Sequence, residues 1–493
     1  MAEDGLTLRL AEFVAGVKER GVPDEVRWVL EDAVTDAVGC GLFGLTTDAV
    51  RIVHSFAAEQ GGPRETTLWA GRGARISAGN AALFMGTAIH GFDFDDHHRA
   101  KLHLSAAVLP AALALAEPGR IDGLTLLAAL AAGYEAMARI SLAANPNAAR
   151  MRGWHLTGTC GTFGAAAAAC VILGADARET ASALGLAGTQ SAGLWAFNAD
   201  GAMSKRLHPG AAAQNGIAAA LLARRGFEGP RMILEAEDGG FLAAMSDAPR
   251  PAEIERDLGT AWRTQAVCFK PYSCCGSNHA AIDAALALKA EHGFTATDVA
   301  SVTVGVSRVV ERQTGFPYTP STVLNAQMSI RYNVAVALID SAALIEQFAP
   351  GRIADPVVNE LVTRVNVEVD PDMDAVYPDK YAGVVTVELR DGARFRSRVD
   401  YSRGMPENPM SAAELDAKFT SLVAAAAGPG APAELLPPLR EIFDSRDVSP
   451  FLRLFGDVVI GEAGSRGRPG KEPPASDHRP TFPRRWRGRW VYP

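Results

Sequence analysis

Gly161-Thr-Phe-Gly164-Ala-Ala-Ala-Ala-Ala-Cys170-Val-Ile-Leu173 offers no polar face to water. A helix that is apolar all round must be enclosed on every side. Alanine costs no side-chain entropy in a helix, and its small side chain lets neighbouring helices come close. The stretch therefore predicts a buried helix at the centre of a helical body. Segments 81–90, 106–117 and 124–142 upstream and 211–225 downstream have the same Ala-rich character, the last ended by Gly226. Nearer the start, Leu8, Leu10, Phe13, Val14 and Val17, then Val26, Val29, Leu30, Ala33, Val34 and Val38, recur at the spacing of one helical face.

The pattern changes near Cys268. Val302, Val304 and Val306 alternate with Thr303, Gly305 and Ser307, and 365–369 alternates as well. Val385, Val387 and Leu389 lead through Arg390-Asp391-Gly392 into 395–399, and an Asp-Gly step between alternating runs predicts a hairpin. Helical segments at 280–292, 332–348 and 356–363 intervene, so 268–403 reads as an α+β domain. Ser411-Ala-Ala-Glu414 is a capping box that restarts helix. The chain is thus expected to be mainly α: 1–267 helical, 268–403 α+β, 404–463 helical again, and 464–493 a tail too rich in Pro, Gly and Arg to build a core.

The 493 residues exceed one ordinary core. The formal net charge of −8 argues against a nucleic-acid partner, although the tail from Gly464 is basic. The tail's Trp486 and Trp490 could dock on an acidic body, or the tail could simply be unstructured. The six cysteines have no disulfide-framework spacing and read as free thiols of a cytoplasmic protein. No apolar stretch reads as long enough to span a bilayer: the longest, 106–116, is interrupted by Pro110 and stops at Glu117.

Chemistry-bearing residues gather in four short segments. The first runs from His90-Gly-Phe-Asp93-Phe-Asp95-Asp96-His97-His98 to Lys101-Leu-His103-Leu-Ser105. So many acids and imidazoles are costly to bury without partners. As a loop on its own it reads equally well as a solvated cap, and its Asp and His suit a metal, but no common ligand spacing is present. The second, Gly153-Trp-His155-Leu-Thr-Gly-Thr-Cys-Gly161, opens a helix whose free N–H groups suit a carboxylate. In the third, Lys205 and Arg206, with His208, precede an apolar helix, a placement that suits a carboxylate clamp. The fourth, Lys270-Pro-Tyr-Ser-Cys274-Cys-Gly-Ser-Asn-His279, sets His279 on a helix's first turn, where the dipole favours a neutral, base-competent ring. Each has a bland alternative as a cap with a packed histidine. Cys274 as nucleophile lacks a local base.

Further fragments accompany them in order: Val108-Leu-Pro-Ala-Ala-Leu113, Gly133-Tyr-Glu135 with Arg139-Ile140, Lys205-Arg-Leu-His208-Pro-Gly210, Gly226-Phe-Glu-Gly-Pro230, His279-x-x-x-Asp283 and Arg403-Gly-Met-Pro-x-Asn-Pro409. Together the set resembles the MmgE/PrpD family across most of the chain. The resemblance implies a large all-helical domain formed by both chain ends with a smaller inserted α+β domain. It also implies a homodimer and a site between the domains that works without metal or cofactor on a small polycarboxylate. Known chemistries of the family are dehydration of 2-methylcitrate, decarboxylation of cis-aconitate and epimerisation of iminodisuccinate. Asp93, His103, His155, Lys205 and His279 match its catalytic positions. His97, Arg206, His208, Lys270 and Tyr318 are expected to contact substrate. The sequence departs from the family at His97, usually Thr, and at His103-Leu-Ser105, usually His-Pro-Ser.

All these chemistries pass through a carbanion stabilised beside a carboxylate, which requires a base, an acid and a cationic grip. The leading expectation is a hydro-lyase acting on a 2-methylcitrate-like hydroxy acid, with decarboxylase or epimerase as alternatives. A metal-dependent hydrolase or isomerase built on the 93–103 cluster, and a non-enzymatic scaffold, are the readings of other classes.

Overall fold

The computed structural model describes residues 5–461; the basic tail, with Trp486 and Trp490, lies outside them. The protein is mainly α. Helix Leu156–Leu173 has nearly every residue buried and packs against Leu104–Gly119, Gly123–Ala143 and Ser204–Arg224. Glycines permit the close approach. A Cβ on Gly164 would stand 2.8 Å from the Gly133 carbonyl, and one on Gly216 would stand 2.5 Å from Ala165 Cβ.

Two sequence expectations need correction. First, Gly123–Ala143 and Leu156–Leu173 are, by length and composition, apolar enough to cross a membrane, but 94% and 83% of those windows is buried by the protein's own helices. Glu135 and Arg139 disguise the first of them in the sequence. Second, the helix expected to start at Ala211 starts at Ser204 and continues through Pro209, giving up one bond, to the Lys205 carbonyl. Lys205, Arg206 and His208 therefore sit on its first two turns, at fixed angular spacing, rather than on a loop. Pro110 likewise lies inside Leu104–Gly119.

The main sheet has four strands in the order Val365–Val369, Val299–Val306, Gly383–Leu389, Arg394–Val399; the first pair is parallel and the others antiparallel. Val302, Val304 and Val306 are buried, as their alternation predicts. Gly392, at φ +89°, makes the expected hairpin turn. Helix His279–His292 packs on this sheet. The capping box forms: Ser411 Oγ accepts from Glu414 N (3.3 Å) and the Glu414 carboxylate accepts from Ser411 N (2.8 Å).

The buried apolar residues form two principal clusters. The larger draws on residues 10–269 and 415–455, the smaller on residues 274–387. A two-residue antiparallel pair, His97–His98 with Val267–Cys268, stitches the histidine-rich segment to the chain just before the smaller cluster begins.

Candidate active site

His103 and His155 are positioned by the same device. Each is the extended residue immediately before a buried helix, Leu104–Gly119 and Leu156–Leu173. Each ring therefore stands beside a helix N-terminus, where the partial positive charge opposes protonation. Lys205 reaches the same place from the start of its own helix. With Asp93 and His97 these side chains line a hollow shared with Lys101, Trp195, Cys275, Ser277, Gln313 and Tyr381.

The polar contacts form a chain. His90 Nδ1 lies 2.9 Å from Asp95 Oδ2, and His90 Nε2 lies 2.8 Å from Lys205 Nζ. A carboxylate only accepts and an ammonium only donates, so His90 is neutral with its proton on Nδ1. Burial, assisted by Lys205, lowers its pKa to about 3. Lys205 Nζ is also 3.1 Å from Asp93 Oδ2, and Lys270 Nζ is 2.6 Å from Asp93 Oδ1. Burial disfavours the Asp93 anion, but Lys205 and Lys270 outweigh it and hold the carboxyl well below its usual range. The Lys205 ammonium is pulled below its ordinary value, mainly by burial.

His103 Nδ1 lies 2.9 Å from the Asp96 carbonyl and 3.3 Å from Asp95 Oδ2. Both are acceptors, so Nδ1 carries the proton and Nε2 keeps a lone pair, 4.0 Å from Asp93 Oδ1. Burial keeps this ring neutral. His155 Nδ1 is 2.8 Å from His208 Nδ1, so one ring donates to the other. Burial, then the Lys205 charge, holds His155 well below the ordinary imidazole range. The site thus pairs neutral imidazoles with ammonium groups, the arrangement needed to move a proton beside a bound carboxylate.

Of the residues expected from sequence, Asp93, His97, His103, His155 and Lys205 line the hollow. Lys270 stands behind Asp93 and His208 behind His155. His279 stands edge-on to His97, ring centres 6.0 Å apart. Arg206 is turned to the Gly91 carbonyl (2.6 Å) and Gln327 Oε1 (3.2 Å), away from the hollow. Tyr318 is not brought to it: the ring packs on Tyr332 at 5.3 Å within the smaller apolar cluster. Cys274 is fully buried, and burial pushes its thiol well up, which disfavours the thiolate that a nucleophile needs.

His90 and Asp95 stand at the centre of the charge chain. From sequence His90 has no assigned role, and Asp95 has one only as a ligand in the metal-dependent reading, although both lie in the first quoted segment. Trp195, Gln313 and Tyr381 carry no local signal at all. Other signatures are struts. Arg139 is buried against Glu135 (3.0 Å) and donates to the carbonyls of Arg256 and Ala261. Asp283 accepts from Tyr272 Oη (2.5 Å) and Arg403 N (2.7 Å), tying three distant signatures together.

His90, Asp93, Asp95 and His103 offer potential ligand atoms within 4.8 Å of one another. His103 Nε2 keeps its lone pair, but His90 Nε2 is taken up by Lys205 and two ammoniums contact Asp93. At an effective dielectric near 20, each unit of charge on an added cation costs about 4 kcal/mol against an ammonium about 4 Å away. The donor set therefore fits a dication poorly, and of the expected metal cluster Asp96 and His98 point elsewhere. Asp96 accepts from Ser105 N (3.2 Å); His98 Nδ1 accepts from Ala100 N (3.0 Å), and Nε2 donates to the Arg263 carbonyl (3.0 Å).

Residues 8–254 match the MmgE/PrpD N-terminal domain, and residues 272–434 match the MmgE/PrpD C-terminal domain. The chain belongs to the MmgE/PrpD family. This MmgE/PrpD protein is 30% identical to the cis-aconitate decarboxylase of Homo sapiens over 426 residues, 84% of this chain and 87% of that protein. Identity to the Aspergillus terreus cis-aconitate decarboxylase is 27% over 483 residues, 93% and 97% of the two chains. For the Mus musculus cis-aconitate decarboxylase it is 27% over 473 residues, 94% and 95%. As a member of this family the protein is an enzyme of lyase type. The named relatives are decarboxylases by name, which bears on the hydro-lyase expectation.

Proposed function

We propose that the protein is a lyase that decarboxylates a small unsaturated tricarboxylate of the cis-aconitate kind, using histidine and lysine side chains. The observation that carries this reading is the convergence of neutral His103 and His155 with the Lys205 ammonium on one hollow. The names of the relatives favour loss of carbon dioxide over loss of water.

In such an acid the bond from the saturated arm to its carboxylate breaks and carbon dioxide leaves. The electron pair moves through the double bond onto the carbon beside the far carboxylate, forming an enediolate. Lys205, already desolvated, holds that charge more strongly than water does. A proton is then delivered to the same carbon, so one carbon dioxide leaves and one proton enters. His103 is the suited donor once its Nε2 has taken up a proton from solvent as the substrate binds, and donation returns the ring to its neutral form. A bound trianion raises the proton affinity of Nε2, and the Asp95 carboxylate and Asp96 carbonyl fix the ring by its other nitrogen. The His155–His208 pair is the second proton carrier.

The test is incubation of the purified protein with cis-aconitate, following carbon dioxide and the proton spectrum of the product. Parallel samples hold citrate and 2-methylcitrate, followed for loss of water. Release of carbon dioxide supports the reading. Loss of water alone replaces it with the hydro-lyase. Turnover of none of them near neutral pH sinks both.

A further inference from the structure

The hollow has a second cationic corner that the chemistry above leaves unused. Lys101 sits at the end of a tight turn: its φ is +60°, its N–H donates to the His98 carbonyl (2.9 Å), and His98 N donates to Leu102 O (2.9 Å). A lysine in left-handed backbone is uncommon, and the turn aims a long side chain into a cavity it lines. The Lys101 ammonium donates to the Tyr377 hydroxyl and stands 5.2 and 5.3 Å from the ring centroids of Tyr377 and Tyr381. Those hydroxyls spend their own protons elsewhere, Tyr377 on Asn147 Oδ1 (3.1 Å) and Tyr381 on the Arg99 carbonyl (3.3 Å).

A second cation backs this one. The Arg150 guanidinium lies 3.7 Å over the ring of Trp195, which lines the same hollow, and its Nε is buried without a partner. Among the described residues no carboxylate forms an ion pair with Lys101 or Arg150. Lys205 and Lys270, by contrast, share Asp93. Aromatic faces and a phenol oxygen soften the isolation of an ammonium but do not neutralise it. Burial, with Arg150 adding to it, brings Lys101 down to about 7.

We propose that Lys101, backed by Arg150 and framed by Tyr381 and Trp195, is an anion subsite that takes a carboxylate remote from the reacting bond and so selects tricarboxylates over dicarboxylates. The inference rests on the proposed function for its substrate class, but the subsite can be tested without turnover. The probes are tricarballylate, an inert saturated tricarboxylate, and glutarate, its dicarboxylate counterpart, titrated calorimetrically into the full-length protein.

Wild type is expected to bind tricarballylate at least about tenfold more tightly than glutarate, the scale of one charge-assisted contact. Lys101→Met removes most of that margin and leaves glutarate within about twofold; Lys101→Arg restores part of it; Arg150→Met reduces it. In turnover, Lys101→Met raises KM for the tricarboxylate about tenfold with kcat nearly unchanged. Circular dichroism and melting temperature establish that each variant is folded, and Arg150→Met, a change outside the loop, is the second handle if Lys101→Met is not. No margin in wild type, or a margin that survives in a folded Lys101→Met protein, overturns the subsite. A wild type that binds tricarballylate through Lys101 but turns over no tricarboxylate overturns the catalytic reading and leaves the subsite standing.

Discussion

Asp93 is held in left-handed backbone at φ +56° and carries two ammonium contacts on one buried carboxylate. Asparagine tolerates the same backbone, so Asp93→Asn isolates the loss of charge. Removing one partner of a buried ion pair costs about 3–5 kcal/mol, and Asp93→Asn is expected to lower unfolding free energy on that scale and to abolish turnover. A variant as stable as wild type in urea contradicts the charge chain. Lys205→Ala is expected to lower kcat about a hundredfold or more, the loss seen when one donor to a developing oxyanion is removed; an unchanged kcat removes Lys205 from the mechanism. At this scale the sequence is informative about residue type and poor about depth. Asp93, His103, His155, Lys205 and His97 are legible because polar groups in apolar surroundings need a shared cavity. That His90 is the hinge of the network, and that Lys270 and His208 stand behind others, depends on distances that no spacing encodes. Where Tyr318 lies is not legible either, because a tyrosine in a core and one in a pocket have the same sequence neighbours.

The elements explain how the side chains of the hollow are positioned. Two imidazoles stand on helix starts, and those helices cross at glycines. Gly133→Ala places a methyl 2.4 Å from Val108 Cγ1 and 2.8 Å from the Gly164 carbonyl. The gain in helix propensity is about 1 kcal/mol, and overpacking costs about 1–3 kcal/mol. Two helix backbones must separate to make room, so the loss wins. Gly79→Ala, whose methyl meets only Gln214 Cγ at 3.7 Å, is the control and is expected to be neutral or stabilising. Thermal melts that rank the pair the other way refute this account of the helix crossings. The helices and the Val299–Val306 strand are legible from periodicity, because burial on one face or on all faces leaves a pattern. The start of Ser204–Arg224 is not, because a proline two turns in reads locally as a boundary while the neighbouring helices hold the backbone through it.

Across the whole molecule the buried histidines set the response to acid. Burial lowers His90 and His279 to about 3 and His98 and His208 to about 4, from 6.5. Between 6.5 and those values the unfolded chain binds protons that the folded chain refuses, so stability falls as pH falls through that window. Asp96, raised to about 7 chiefly by burial, acts in the opposite sense between 3.8 and 7, and burial also raises Asp32, Asp36, Glu135 and Asp283. On the other side it lowers His54, His97, His103 and His155 as well, so the histidines carry the larger effect near pH 6. Melting temperature is therefore expected to drop steadily from pH 6.5 to pH 4; a flat or rising profile rejects the neutral-histidine assignment. We also expect the chain to work as a homodimer, with a light-scattering mass near twice 51.9 kDa; a monomeric mass rules this out. The short pairing of His97 with Cys268 has a consequence for traffic through the enzyme. Any opening that swings the smaller apolar cluster outward pulls on the strand leading into it, and that strand is laced to the loop bearing His97, Lys101 and His103. Strand and loop are then expected to shift together, so a displacement of one would carry the proton carriers with it.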